Sequence, residues 1–129
     1  MTAHPAGRHA TTGAAPAREP DPAGDGYLLA ADAGTGSCRA VLFDLAGHQR
    51  ALAQREWSHP PARGVAGSQT FDTAGNWALI CACIREVLGS VADPRAVLAV
   101  GCSSMGGGLV LYDRAGAELW ACANGDARA

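Results

Sequence analysis

The residues with the clearest chemical potential form a glycine-rich segment, residues 32–37 (DAGTGS), followed closely by Arg39. Small residues allow backbone amides to approach a phosphate, and the hydroxyls of Thr35 and Ser37 can donate to its oxygens. Arg39 can neutralise phosphate charge, and the carboxylate of Asp32 can hold Mg²⁺ directly or through water. The alternative is an ordinary glycine-rich hairpin whose Asp and Thr side chains satisfy the turn.

Two other phosphate-binding motifs are excluded by the residue types present. All ten basic residues are Arg, and Lys is absent from the chain. A Walker A loop requires Lys, so this loop is ruled out, and so is chemistry that uses Lys as a nucleophile. The dinucleotide fingerprint also fails, because Arg39 stands at its third glycine position and a second strand follows instead of a helix.

Composition limits the remaining function classes. The chain has 129 residues and a formal charge of −2, which fits one domain of ordinary size. The Arg residues are not clustered, which argues against a nucleic-acid partner. No apolar run approaches the ~18–20 residues that span a bilayer, so no membrane association is expected. The five Cys residues suggest no disulfide framework and favour buried free thiols in a cytoplasmic protein.

The chain divides into two parts. Residues 1–25 lack Val, Ile, Leu, Phe, Tyr and Trp and contain four of the seven Pro residues, which predicts a disordered leader. The folded part is expected over residues 26–129. It begins with three predicted strands, residues 27–32, 39–44 and 49–57, which form an antiparallel meander around turns that contain Gly.

A helix and further strands are predicted after the meander. Asp72 is a suitable N-cap, and one apolar stripe follows it at helical spacing: Trp77, Ile80, Cys81, Ile84, Val87 and Leu88. The continuous apolar run of residues 96–103 predicts a strand beside the first one, buried on both faces. Residues 109–113 and 118–123 predict a hairpin. Within the helix, Cys81 and Cys83 point in different directions, so a shared metal is not expected there.

Residues 27–44 (YLLAADAGTGSCRAVLFD) resemble the opening of the FGGY carbohydrate kinases. Further segments follow in the order of that family: FDxxxNW before the helix, VGCSSM at the end of the fourth strand, and WACANGDAR near residue 129. The last string and the DAGTGS segment are together similar to the autoinducer-2 kinase branch of the family. The resemblance covers nearly all of residues 27–129 but only the first part of such a kinase.

The resemblance implies an α/β fold, a ribonuclease H-like half-domain of the actin-like ATPase type that is incomplete. It implies ATP and Mg²⁺ as cofactors and a small sugar or polyol as partner. For full-length members of the family it allows a homodimer. The implied nucleotide contacts are Thr35, Gly36, Ser37 and Arg39, with Asp32 at the metal. The implied substrate contacts are Met105, Gly106, Gly107, Asn124 and Asp126.

The sequence departs from the family at the substrate loop. Relatives usually follow the Met with an Arg-Glu pair that binds substrate hydroxyls, whereas this chain has Gly106 and Gly107, which provide no side-chain hydrogen bonds. The catalytic Asp of the family is expected downstream of residue 129, so the chain alone is expected to show negligible kinase activity. The alternatives are a non-catalytic nucleotide-binding or interaction module, a pseudogene product, or another actin-like ATPase.

Overall fold

The computed structural model of the chain describes residues 26–128, so the predicted leader of residues 1–25 lies outside the described residues. Between residues 26 and 128, no helix is long and apolar enough to cross a membrane. A short 3₁₀ turn, Pro94–Ala96, precedes the fourth strand. The elements are β1 Tyr27–Ala33, β2 Ser37–Asp44, β3 Gln49–Glu56, α1 Thr73–Leu88, β4 Val97–Ser104, β5 Leu109–Tyr112 and β6 Glu118–Cys122.

The strands form a four-stranded sheet in the order β3-β2-β1-β4 and a separate β5-β6 hairpin. β1, β2 and β3 are antiparallel neighbours, and β4 runs parallel to β1. The turn between β2 and β3 has Gly47 at φ +86°, a conformation that favours glycine. The predicted meander, parallel strand and hairpin are confirmed.

Helix α1 begins as predicted, and part of the predicted stripe packs on the sheet, since Val87 is buried and Ile80 and Ile84 pack against the core. Asp72 caps the helix, since its Oδ1 accepts a hydrogen bond of 2.9 Å from the N–H of Gly75. The buried residues are Asn76, Cys83 and Val87, whereas Trp77, which the predicted stripe placed inward, is 63% exposed. The inward face is therefore rotated from the predicted stripe towards Asn76 and Cys83, because a run rich in apolar residues allows more than one 3.6-residue phase.

The core lies between α1 and the inner face of β1, β2 and β3. Leu29, Leu42 and Val87 are buried there, together with Cys38 and Cys83, whose sulfur atoms are 4.0 Å apart. At the rim of the core, Arg55 of β3 and Glu86 of α1 form an ion pair of 2.6 Å. The helix is thus tied to the sheet both through the core and at its edge.

Strand β4 lies beside β1 as predicted, but its predicted burial on both faces is wrong. Leu98 is 61% exposed and Val100 59% exposed, and the thiol-bearing residue Cys102 is exposed as well. The reason is positional, since α1 lies over β1, β2 and β3, whereas β4 is the edge strand of the described sheet that α1 does not cover. An apolar run reveals a strand, but it does not reveal whether the described neighbours cover it.

Candidate functional site

The site begins at the end of β1, where Asp32 lies between two neighbouring strands. Its register partners are Arg39 on β2 and Ser103 on β4. The hydroxyl of Ser103 donates a hydrogen bond of 2.5 Å to Asp32 Oδ1, and Arg39 Nε lies 3.6 Å from Asp32 Oδ2. Side chains alternate along a strand, so these three project from the sheet face opposite α1. The predicted metal residue and the predicted phosphate-neutralising Arg are therefore adjacent.

The glycine-rich segment forms a tight turn between β1 and β2. The N–H of Gly34 donates to the carbonyl oxygen of Ser37 at 2.9 Å, which closes the turn. Thr35 and Gly36 at its tip are exposed. The turn thus presents a short stretch of backbone and one hydroxyl to solvent, next to Asp32 and Arg39.

The loop that follows β4 joins the site through backbone contacts. The N–H of Met105 donates to the carbonyl oxygen of Ala33 at 2.8 Å, which fixes this loop to the end of β1. Gly107 has φ +83°, and a Cβ built there would lie 3.8 Å from the Cβ of Asn124. Gly106 lies beside it with open space around its Cα. The loop predicted to face a substrate therefore borders both the glycine-rich turn and Asn124.

Asn124 connects the predicted substrate residues to the predicted nucleotide residues. Its Nδ2 donates a hydrogen bond of 3.0 Å to Thr35 Oγ1. Asn124 follows β6, and β6 is held against the loop before α1, where Ala123 N–H donates to the Gln69 carbonyl oxygen at 3.1 Å. The hairpin thus carries Asn124 to the glycine-rich turn.

Asp126 is buried, and its carboxylate is bonded from several directions. It accepts hydrogen bonds from the Gln69 N–H at 2.8 Å and from Arg128 Nη2 at 2.7 Å. The Arg128 hydrogen bonds, with support from the Gln69 amide, hold the pKa of this carboxyl well below its ordinary value. The guanidinium of Arg128 also lies 5.5 Å from the centroid of the Trp120 ring. These contacts suit a residue that positions the loop carrying Asn124.

Sequence reasoning missed two side chains that contact the glycine-rich turn. Trp57 Nε1 donates to the carbonyl oxygens of Gly34 and Thr35, at 3.1 Å each. His59 Nε2 lies 2.9 Å from the Thr35 carbonyl oxygen. Trp57 also packs against the hydrophobic core, so its ring serves both the core and the turn. No spacing in the sequence signals these contacts, because they join positions more than 20 residues apart.

The residues present fit a nucleotide with its metal ion. Mg²⁺ is usually held by one or two carboxylates together with waters and substrate phosphates, and Asp32 offers one partly exposed carboxylate at the strand end. Arg39 provides a planar, permanently charged group beside it, suited to a phosphate. Exposed backbone at Thr35 and Gly36 completes a donor set that matches an anion.

The chain is similar to known kinases over most of its length. No protein-family model matches it. An autoinducer-2 kinase of Yersinia pseudotuberculosis serotype O:3 (strain YPIII) is 56% identical over 109 residues, which make up 84% of this chain and 20% of that kinase. The chain therefore spans about one fifth of the length of the curated relatives it matches.

Solved structures of sugar kinases share the fold. A xylulose kinase from Rhodospirillum rubrum superposes with a TM-score of 0.66 at 25% identity, over 79% of this chain and 21% of that one. A Plasmodium falciparum glycerol kinase solved with ADP gives a TM-score of 0.59 at 14% identity, over 76% of this chain and 20% of that one. The predicted half-domain of the actin-like ATPase type is confirmed. The chain is thus similar in sequence to about one fifth of an autoinducer-2 kinase, and it shares its fold with parts of solved sugar kinases.

Proposed function

We propose that the chain provides the phosphate-binding part of an ATP-dependent carbohydrate kinase of the autoinducer-2 kinase type. The observation that carries this proposal is the convergence of Asp32, Arg39 and the glycine-rich turn, with Asn124 bonded to Thr35. A structural hairpin would need neither an exposed Asp–Arg pair beside the turn nor an amide from a distant loop against it. The proposal is supported by 56% identity to an autoinducer-2 kinase.

Each nucleotide-side residue has a distinct role in this proposal. The N–H groups of Thr35 and Gly36 and the hydroxyls of Thr35 and Ser37 donate to phosphate oxygens. Arg39 balances phosphate charge. Asp32, oriented by its hydrogen bond from Ser103, would hold Mg²⁺ directly or through water, and the ion would neutralise phosphate charge.

The substrate side is assigned to Met105, Gly106, Gly107 and Asn124, with Asp126 in a positioning role. The acceptor is a small polyol-like molecule, and in the autoinducer-2 kinase type it is the linear dihydroxy-pentanedione signal. Gly106 and Gly107 leave the loop without side-chain donors, so recognition of the acceptor here depends on Asn124 and on backbone groups. A site with so few side-chain hydrogen bonds discriminates weakly between hydroxylated acceptors.

A non-catalytic nucleotide-binding module is the second candidate, and one observation favours it. The loop at Gly106 and Gly107 lacks the Arg-Glu pair that binds substrate hydroxyls in the family, while the nucleotide side retains all of its predicted residues. Both candidates require nucleotide binding at the same turn. They differ in phosphoryl transfer, for which the family uses a catalytic Asp that the resemblance assigns outside residues 26–128.

We further assign the protein to the cytoplasm, where ATP is available and where free thiols persist. Its five Cys residues are all unpaired. In this assignment the partner is a small molecule, and neither nucleic acid nor membrane takes part. For the full-length kinase, the proposal includes assembly as a homodimer.

A calorimetric titration of the 129-residue chain with Mg–ATP tests the proposal. We expect a saturable site with a dissociation constant below ~1 mM, which corresponds to about −4 kcal/mol. Arg39→Gln should weaken binding, and the matched control Arg114→Gln, in the β5-β6 turn, should not. A wild-type chain that fails to bind below ~1 mM, or equal binding by Arg39→Gln, contradicts the proposal.

A further inference from the structure

We infer that Trp57 and His59 are positioning residues of the nucleotide site, which aim the backbone N–H groups of Thr35 and Gly36 at the phosphates. The inference rests on the proposed function and adds to it two residues that the kinase resemblance did not assign. They act from behind the turn, through its carbonyl oxygens.

The contacts involve three consecutive carbonyl groups of the turn. Trp57 Nε1 donates to the carbonyl oxygens of Gly34 and Thr35 at 3.1 Å each, and the backbone N–H of Trp57 donates to the Gly36 carbonyl oxygen at 3.1 Å. His59 Nε2 adds a contact of 2.9 Å to the Thr35 carbonyl oxygen. A carbonyl can only accept, so His59 must carry its proton on Nε2 in this contact.

The direction of these carbonyls determines the direction of the amides. Among the described residues every peptide bond is trans, and in a planar trans peptide the C=O and N–H groups point in opposite directions. When the Gly34 and Thr35 carbonyls point at Trp57 and His59, the N–H groups of Thr35 and Gly36 point away from them. Adjacent N–H groups that face the same side form an anion-binding concavity.

The two donors are themselves held in place by Phe71. The ring of His59 stacks on that of Phe71, with centroids 5.3 Å apart and an interplanar angle of 26°. The ring of Trp57 meets Phe71 edge-on at 6.4 Å. Phe71 precedes the N-cap of α1, so the start of the helix braces the two donors, and the turn is pre-organised before any ligand binds.

The test combines nucleotide titration with two-dimensional ¹⁵N NMR on the 129-residue chain. Trp57→Phe keeps the aromatic ring and removes the N–H donor, and His59→Leu removes the other donor. Each should weaken Mg–ATP binding roughly 2- to 10-fold, the range for one net hydrogen bond. His59→Gln, which restores a donor, should recover most of the His59→Leu loss. The controls are Trp77→Phe on the exposed face of α1 and His48→Leu in the β2-β3 turn, and both should bind like wild type.

The NMR measurement separates positioning from general stability. In the wild-type chain, the amide signals of Thr35 and Gly36 should shift on addition of Mg–ATP, and in a folded Trp57→Phe chain these shifts should shrink while the rest of the spectrum is preserved. If a variant fails to fold, the wild-type spectra still test the inference. Nucleotide binding that leaves the amide signals of Thr35 and Gly36 unshifted overturns it. Equal affinity of wild type, Trp57→Phe and His59→Leu also overturns it. A wild-type chain that binds no nucleotide instead contradicts the proposed function itself.

Discussion

Asn124 and Thr35 lie 89 residues apart in the chain, and Asn124 Nδ2 donates a hydrogen bond of 3.0 Å to Thr35 Oγ1. This bond joins the two halves of the candidate site, since Thr35 belongs to the proposed nucleotide side and Asn124 to the proposed substrate side. The hydrogen bond can form only when the β5-β6 hairpin packs against the loop before α1. The hairpin outside the main sheet therefore has a direct part in the site.

A double-mutant cycle measures this bond. Asn124→Ala and Thr35→Val each remove one partner, and we expect their effects on the free energy of unfolding to couple by about 0.5–1.5 kcal/mol, the net value of one hydrogen bond. Urea denaturation of the wild type, both single variants and the double variant provides the four values. Effects that simply add within ~0.3 kcal/mol would show that the two side chains do not interact in solution.

The Asp126 carboxyl should make stability depend on acid. The Arg128 and Gln69 hydrogen bonds lower its pKa in the folded chain below the ordinary value of 3.8, so between the two pKa values the unfolded chain binds more protons. Its stabilising contribution is thus fully present above about pH 5, and it is lost progressively as the pH falls from about 4 towards the much lower pKa of the folded chain.

Urea midpoints of wild type and Asp126→Asn, measured from pH 7 to pH 3, test this expectation. The variant should be less stable at pH 7 and should approach the wild type towards pH 3. Part of the acid sensitivity should remain, because the Asp44 carboxyl also has a lowered pKa, held first by the backbone N–H of His48. Parallel pH profiles for the two chains would rule out the contribution of Asp126.

The start of α1 depends on a close fit between Asp72 and Gly75. Asp72 accepts the N–H of Gly75, and a Cβ on residue 75 would overlap the same carboxylate. Asp72→Ala should cost about 1 kcal/mol of stability, and Asp72→Asn should cost less. Gly75→Ala should destabilise the wild type, although Ala is the better helix former.

In the Asp72→Ala background the obstacle is gone, so Gly75→Ala should then stabilise the chain by up to about 1 kcal/mol. Thermal or urea unfolding of the four chains measures both effects. A stabilising Gly75→Ala in the wild-type background would contradict the close fit at the cap.

The sequence predicted those parts of the fold that depend on local signals. The turn that contains Gly47, the cap at Asp72 and the DAGTGS segment between two strands each follow from residues within a few positions of one another. The proximity of Asp32 and Arg39 in the candidate site could also be predicted, because these residues flank a short turn and antiparallel pairing brings them together.

The remaining features depend on contacts between distant residues. Helix α1 contains enough apolar residues to fit more than one 3.6-residue phase. Packing against Leu29 and Leu42 selects the phase in which Cys83 is buried. The exposure of Leu98 depends on which elements cover β4, which an apolar run does not encode. Trp57 and His59 reach the turn only because β3 returns alongside β2.

The most direct test of the account is the magnesium dependence of nucleotide binding at Asp32. Calorimetric titrations of wild type, Asp32→Ala and the matched control Asp93→Ala are run with ATP, with and without Mg²⁺. We expect Mg²⁺ to strengthen binding by the wild type and by Asp93→Ala, and to have little effect on Asp32→Ala, which lacks the carboxylate that holds the metal. Equal binding by wild type and Asp32→Ala in the presence of Mg²⁺ would contradict the assignment of this turn as the nucleotide site.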